Sequence, residues 1–414
     1  MDYLAFNRGD EMTNWKRNAT LYIIGQFMSM FGSMLVQHAI TWQITLETKS
    51  GVIMTLFTCA ALLPMTLISP FAGVWADRHN RKHLIVISDA GIALITLGLA
   101  VAYISGYKNV WLMFIVVVAR SFGQGIQQPA VSAMIPQIVP TDSLQRFNGI
   151  QSSIQSLNMF VAPMAAGALL SFLPIEYIFF IDVVTAAIGI SIVLIFVKVS
   201  QIPHIGEVKT GVTAYFHELG EGLRYINSKA WLKIIIIYSA FFSFFASPAA
   251  LLTPLQTART FGDDVWRLTA IEIVFSIGAV AGGILISVWG GFKNKAHTIV
   301  MACASFGLTG FLLGVVPDFW VYLGVMLVCG ATMPLFNTPS MTLLQSKIDP
   351  DKMGRVFSVM MMFSGLAMPL GMAVFGPLSD IVRIEWLLIG TGVVIFASGL
   401  ALLRAHSLIE IGKS

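Results

Sequence analysis

The chain has 414 residues, 56% of them hydrophobic and 11% charged, with a formal net charge of +4 at pH 7. A soluble domain carries roughly twice that charged fraction, and the mean hydropathy of +0.80 excludes an ordinary water-soluble globule. The apolar residues gather in runs of about 20, the length that crosses a bilayer as a helix.

In chain order the expected spans are 20–46, 53–76, 84–105, 111–134, 147–172, 177–199, 231–256, 267–290, 297–316, 319–343, 356–378 and 385–404. The alternation of a membrane β-barrel is absent, and helices satisfy their own backbone polar groups in lipid. The expected fold is an all-α membrane protein of twelve transmembrane helices. Met1–Thr20 is polar and the first apolar run is a full span, so no signal peptide is expected. Placing the N-terminus inside puts 19 Lys and Arg on the cytoplasmic side and 5 outside, with Arg120 inside a span. Both termini are therefore expected in the cytoplasm. The basic balance reflects this topology and needs no nucleic acid.

Between the second and third spans lies Gly73-Val-Trp-Ala-Asp77-Arg78-His-Asn-Arg81-Lys82. Gly73 permits close approach of a neighbouring helix. Asp77, at a helix end, can accept from a facing helix N-terminus or pair with Arg81. Arg78, Arg81 and Lys82 would hold the turn at the anionic inner leaflet. Together they read as a latch that closes in one conformation and parts in another. A positive-inside loop with an incidental carboxylate is the plainer alternative.

A faded copy of this segment follows 210 positions later. Gly73 maps onto Gly283, Asp77 onto Ser287, Pro129 onto Pro339, Pro140 onto Pro350 and Phe147 onto Phe357. Such a duplication predicts two pseudo-symmetric six-helix halves, an architecture of many secondary transporters. The halves are expected at 1–200 and 231–414, joined by a cytoplasmic linker at 201–230. Within the linker, Val212, Tyr215, Phe216, Leu219, Leu223 and Ile226 recur at helical spacing among charges, predicting an amphipathic helix in the inner interface.

Polar side chains inside spans should face a cavity or a partner. Gln26 and Gln37 lie in the first span, Gln124, Gln127 and Gln128 in the fourth, and Gln151, Gln155 and Asn158 in the fifth; Asn337 is the nearest equivalent in the second half. Gln151, Gln155 and Asn158 share one helix face, as do Gln124 and Gln128. Interhelical hydrogen bonds explain some of these amides; the rest would line a neutral cavity for large amphipathic substrates. A lone guanidinium at Arg120 needs a partner, and a structural pair would satisfy it. Glu272, His38 and Asp182 are the candidates for proton coupling. Cys59, Cys303 and Cys329 lie in spans without metal-ligand spacing. No phosphate-binding lysine loop or His-Glu-x-x-His helix is present, so neither an enzyme, a metal nor a cofactor is expected.

Gly73-x-x-x-Asp77-Arg78-x-x-Arg81-Lys82 resembles the loop signature of the major facilitator superfamily. Ala119-Arg120-Ser-Phe-Gly-Gln-Gly-Ile-Gln-Gln-Pro129-Ala, Ile181-Asp182-Val-Val and Ser88-Asp89-Ala resemble its bacterial efflux branch, which includes macrolide-efflux proteins and the enterobactin exporter. The fifth span carries Pro163-x-x-x-Gly167 without the remaining glycines of the antiporter pattern. The resemblance implies a monomeric exporter of small molecules, with protons as the coupling ion and Arg120 acting in coupling or in organising the cavity. A dedicated siderophore or metabolite exporter and a lysolipid transporter are the alternatives within transport. A membrane receptor or an intramembrane enzyme would belong to another class, and no nucleophile–base pair supports the enzyme.

Overall fold

The computed structural model describes residues 2–197, 212–349 and 352–413. The first six spans are α1 (Asp2–Thr48), α2 (Gly51–Arg78), α3 (Arg81–Ile104), α4 (Val110–Ile138), α5 (Leu144–Phe172) and α6 (Ile175–Phe196). A shorter helix, α7 (Val212–Ser228), follows. Then come α8 (Ala230–Leu251) with α9 (Thr253–Thr260), α10 (Val265–Trp289), α11 (Lys295–Val315), α12 (Phe319–Lys347), α13 (Met353–Ile381), α14 (Ile384–Ala401) and the short α15 (His406–Ile411). Twelve segments of the described chain are long and apolar enough to cross a membrane. The seventh is expected from sequence as one helix but is broken at Leu252 between α8 and α9. Pro254 has no N–H to give, and its ring opposes the carbonyl four residues back.

Contacts divide the chain into two compact units: Met1–Thr41 with Ala60–Val212, and Trp42–Cys59 with Thr213–Ser414. In the first, α3 packs against α4 and α6; in the second, α11 packs against α12 and α14. These are the third, fourth and sixth spans of each sequence half, so the repeat reappears as packing within each unit. Pro129 and Pro339 both lie inside the fourth span of their half. Pro350 lies outside the described residues.

Small residues set how closely these helices approach, as expected where lipid removes the hydrophobic drive between them. A Cβ on Gly189 would stand 2.6 Å from the Gly25 carbonyl oxygen, and one on Gly278 would stand 2.0 Å from that of Leu327. Between α2 and α4 the contact goes further. The Ser121 hydroxyl accepts from the Met65 amide at 3.0 Å and donates to the Ala61 carbonyl at 2.7 Å. It thus stands between two groups four residues apart on α2, where a helix would otherwise bond to itself, and such insertion bends helices.

The amphipathic segment is a helix, α7, but its described side chains do not lie free at an interface. Leu219 and Leu223 pack against the core of the second unit and Ile226 is buried in it. Glu221 pairs with Arg355 at 2.6 Å, and the Tyr225 hydroxyl donates to Asp349 at 3.0 Å. Gly222 makes this docking possible, since a Cβ there would stand 2.9 Å from the Arg355 carbonyl oxygen. Residues 201–211 of the expected linker lie outside the described residues.

Candidate functional site

The first unit holds a cavity of about 390 Å³, within the range of small-molecule sites. From α1 it is lined by Tyr22, Ile23, Gln26, Phe27, Ser29, Met30, Ser33, Met34 and Gln37. Met65 comes from α2, Gln124, Gln127, Gln128, Val131 and Ser132 from α4, and Gln151, Ile154 and Gln155 from α5. The three- and four-residue spacings bring each helix's amides onto one face, and the packing turns those faces inward together. The wall therefore carries seven glutamines and no charged side chain. Amides offer both donors and acceptors, while Phe27, Met30, Met34 and Met65 supply deformable apolar surface.

Six amides expected to line a cavity do so: Gln26, Gln37, Gln124, Gln128, Gln151 and Gln155. Three other residues expected there do not. Asn158 is wholly buried and its Nδ2 donates to the Phe27 carbonyl at 3.5 Å, so it bridges α5 to α1. Asn337 is exposed on α12 in the second unit. Arg120 is 1% exposed, and its Nη1 meets Asp182 Oδ2 at 2.5 Å, with that side chain equally buried. Arg120 also donates to the Thr96 hydroxyl and, through Nη2 at 3.2 Å, to the carbonyl of Ser33. It touches the cavity only through the backbone of α1. A charge in this interior is tolerated because its opposite is beside it.

The pairing also places Asp182, one of the coupling candidates, in an ion pair rather than on the cavity wall. His38 Nδ1 donates to the Met34 carbonyl at 2.8 Å, one turn back on α1, and Glu272 is half-buried on α10. Neither lines the cavity. A carboxylate that sequence reasoning did not shortlist stands closer. Asp89 on α3 is 5% exposed and accepts from Gln127 Nε2, and the Ser29 hydroxyl is hydrogen-bonded to it. Its position in a long apolar run was the available signal.

In the loop segment, Arg81 donates to the carbonyls of Ala76 at 3.0 Å and Ala133 at 2.8 Å. Lys82 Nζ donates to those of Leu194 at 2.9 Å and Val197 at 2.8 Å. Sequence suggests that these cations face the lipid surface. The structure instead shows them bonded to carbonyls at or near the ends of α2, α4 and α6, where unpaired acceptors and the helix dipole favour positive charge. Among the described residues, a Cβ on Gly73 would meet nothing within 4 Å, so the close helix approach expected there is not seen. The side chains of Asp77 and Arg78 lie outside the described residues.

A second polar centre lies in the second unit, at the end that the charge distribution assigns to the outside. Asp380, on the last turn of α13, accepts from the backbone amides of Gly51 at 2.7 Å and Val52 at 2.9 Å. The Ser50 hydroxyl donates to it at 2.8 Å and Arg259 Nη2 at 2.6 Å. Arg259 also donates through Nε to the Lys49 carbonyl at 3.0 Å and through Nη1 to that of Ser379 at 2.7 Å. Asp380 thus caps the N-terminus of α2, where free amides and the dipole attract an anion. Beside it Lys49 meets Asp263 at 2.8 Å, and that hydrogen bond holds the Asp263 carboxyl below its ordinary range.

Twelve segments of the described chain long and apolar enough to span a membrane, a packing of third, fourth and sixth spans that recurs in both units, and a polar cavity within the first unit are the features of a multi-pass membrane transporter of small molecules. The chain belongs to the Major Facilitator Superfamily, whose family model matches residues 22–372. It is 28% identical to the macrolide efflux protein A of Streptococcus pyogenes, over 94% of this chain and 96% of that one. It is 23% identical to the multidrug efflux pump Tap of Mycobacterium bovis, over 95% and 94%. Among solved structures it resembles the nucleoside transporter NupG, with a TM-score of 0.67 at 15% identity, covering 94% of this chain and all of that one. A bacterial homolog of the human lysosomal transporter Spinster, inward-facing, gives 0.65 at 15% identity over 98% of each. These likenesses agree with the bacterial membrane fold.

Proposed function

We propose that this protein exports amphipathic small molecules from the bacterial cytoplasm in exchange for protons, acting as a monomer with both termini inside. The observation that carries this reading is the cavity wall, with seven glutamines, deformable methionines and no fixed charge. Such a wall binds varied shapes by exchangeable hydrogen bonds and apolar contact and selects for no single charge. Relatives named as macrolide and multidrug efflux proteins support the outward direction.

Alternating access needs contacts that close each side in turn. The turn from Gly73 through Asp77 and Arg78 to Arg81 and Lys82 serves the cytoplasmic side, and the Asp380–Arg259 centre the outer side. The working division is two halves, 1–200 and 231–414, with the segment 201–230 joining them. The test is efflux of a panel of neutral and cationic amphiphiles by energised inverted vesicles, with and without an uncoupler. Uncoupler-sensitive accumulation of several unrelated compounds is expected. Transport of one dedicated metabolite alone, or accumulation that ignores the uncoupler, would overturn the reading.

A further inference from the structure

We propose that Asp89 is the proton-binding carboxylate of this cavity and that Gln127 converts its protonation into a change of cavity polarity. This deepens the function proposed above and rests on it. Asp89 sits one side chain behind the wall, since Gln127 and Ser29, which bond to it, both line the cavity. Among the described residues it enters no ion pair. Tyr22 faces it from α1, Asp182 from α6, and Arg120 of α4 is committed to Asp182. On its own helix, Arg81 and Lys82 are about 10 Å or more away by helical rise and bond to helix-end carbonyls. An ionised carboxylate without a cation inside a span is expensive, and taking up a proton removes that cost.

The two protonation states make opposite demands on Gln127. When Asp89 is ionised, the carboxylate only accepts, so the Gln127 –NH₂ is drawn to it and the amide oxygen is left for the cavity. When a proton from cavity water binds Asp89, the new O–H donates, and the amide oxygen is its natural acceptor. The terminal amide torsion is soft, so Gln127 rotates and turns its –NH₂ toward the cavity. The wall thereby changes from acceptor to donor as the negative charge behind it disappears. A substrate bearing an ammonium or hydroxyl donor is held by the ionised state and released by the protonated one. Proton entry and substrate release then become one event.

The experiment is infrared difference spectroscopy of the full-length protein in liposomes, acidified without any substrate. A carboxylic C=O band is expected to appear together with a shift in glutamine side-chain bands. The carboxylic band should move when the protein carries carbon-labelled aspartate, be missing in Asp89→Asn and remain in Glu272→Gln. In Gln127→Leu the carboxylic band should stay, while export of ethidium, a permanent cation, driven by a pH gradient falls several-fold. A band that moves with labelled glutamate, or that survives in Asp89→Asn, overturns the proposal; the labelling holds even if Asp89→Asn fails to fold. Gradient-driven ethidium export by Gln127→Leu at the wild-type rate overturns the role of the amide. Wild-type export that ignores uncouplers would sink proton exchange itself, whichever carboxylate carries the band.

Discussion

Among the described residues, the two shortest Arg–Asp pairs are nearly equal in length and lie in very different surroundings. Arg120–Asp182 spans 2.5 Å with both side chains 1% exposed, while Arg259–Asp380 spans 2.6 Å with 29% and 26% exposed. The first has been taken out of water, so parting it would leave two bare charges in a low-dielectric interior. The second keeps water at hand, and its carboxylate is shared with two amides and a hydroxyl at the start of α2. Of the two, only the hydrated pair can part without stranding a bare charge in the interior. A contact that fixes how α3, α4 and α6 stand together belongs in the core.

Breaking the core pair gives the largest expected effect. Arg120→Ala strands Asp182 and should cost about 3–5 kcal/mol, seen as a fall in the unfolding midpoint of the purified protein. Arg120→Lys should restore only part, because a point charge cannot reach Asp182, Thr96 and the Ser33 carbonyl at once. Replacing both partners by leucine should be milder than Arg120→Ala alone; an equal or larger loss would show that the pair stabilises beyond mutual neutralisation.

The rim pair should behave otherwise. Asp380→Asn leaves an acceptor but removes the charge at the α2 N-terminus, a contribution of about 1–2 kcal/mol. Global stability should fall by far less than in Arg120→Ala. A cysteine at Lys49, in a background without Cys59, Cys303 and Cys329, should react several-fold faster with an impermeant maleimide. Unchanged labelling would remove Asp380 from the outer closure.

The cavity sharpens the contrast between a polar first unit and an aromatic second one. Phe242 stacks on Phe336 at 4.9 Å and meets Phe306 at a tilt at 4.9 Å, and Phe241 lies 4.6 Å from Phe245. Gln124→Leu with Gln155→Leu should shift export toward more apolar compounds, with a loss of about 1 kcal/mol per missing hydrogen bond for polar ones. Equivalent changes at Asn337 should leave selectivity alone. Competition assays with paired polar and apolar analogues check both.

The smallest effect is expected at Asp263. Its carboxyl titrates below its ordinary range because Lys49 bonds to the charged form. Its contribution is therefore present above the ordinary carboxylate range and lost as pH falls through the depressed value. The pair is exposed, so high salt should weaken it too. Asp263→Asn should abolish whatever part of the low-pH change in outer labelling belongs to this pair, read at a cysteine replacing Ser50.

The cavity amides were legible because helical spacing alone puts Gln151 with Gln155 and Gln124 with Gln128. Asp89 was passed over although it lies in the same kind of apolar run as Asp182, because nothing in either run says which carboxylate has a cation. Arg120 and Asp182 are 62 positions apart, and no local pattern relates them. Asp380 lies just beyond the expected span 356–378, and its role depends on a helix N-terminus more than 300 positions away in the chain. The amphipathic linker helix was visible in its spacing, but the partner for its apolar side was not.

By itself, the sequence determined the number of the spans, their helical nature, the duplication and the amide-rich faces. These follow from bilayer thickness, from the need to satisfy every backbone group in lipid, and from the 3.6-residue period. Only the tertiary structure decided which polar groups meet one another and which meet the cavity. Periodicity says which side chains share a face, but not which helix that face will find. In lipid, apolar surface gains little by choosing one neighbour over another. The order of the helices was settled instead by contacts between distant residues: Gly25 against Gly189, Ser121 within the turn of α2, and Arg120 on Asp182.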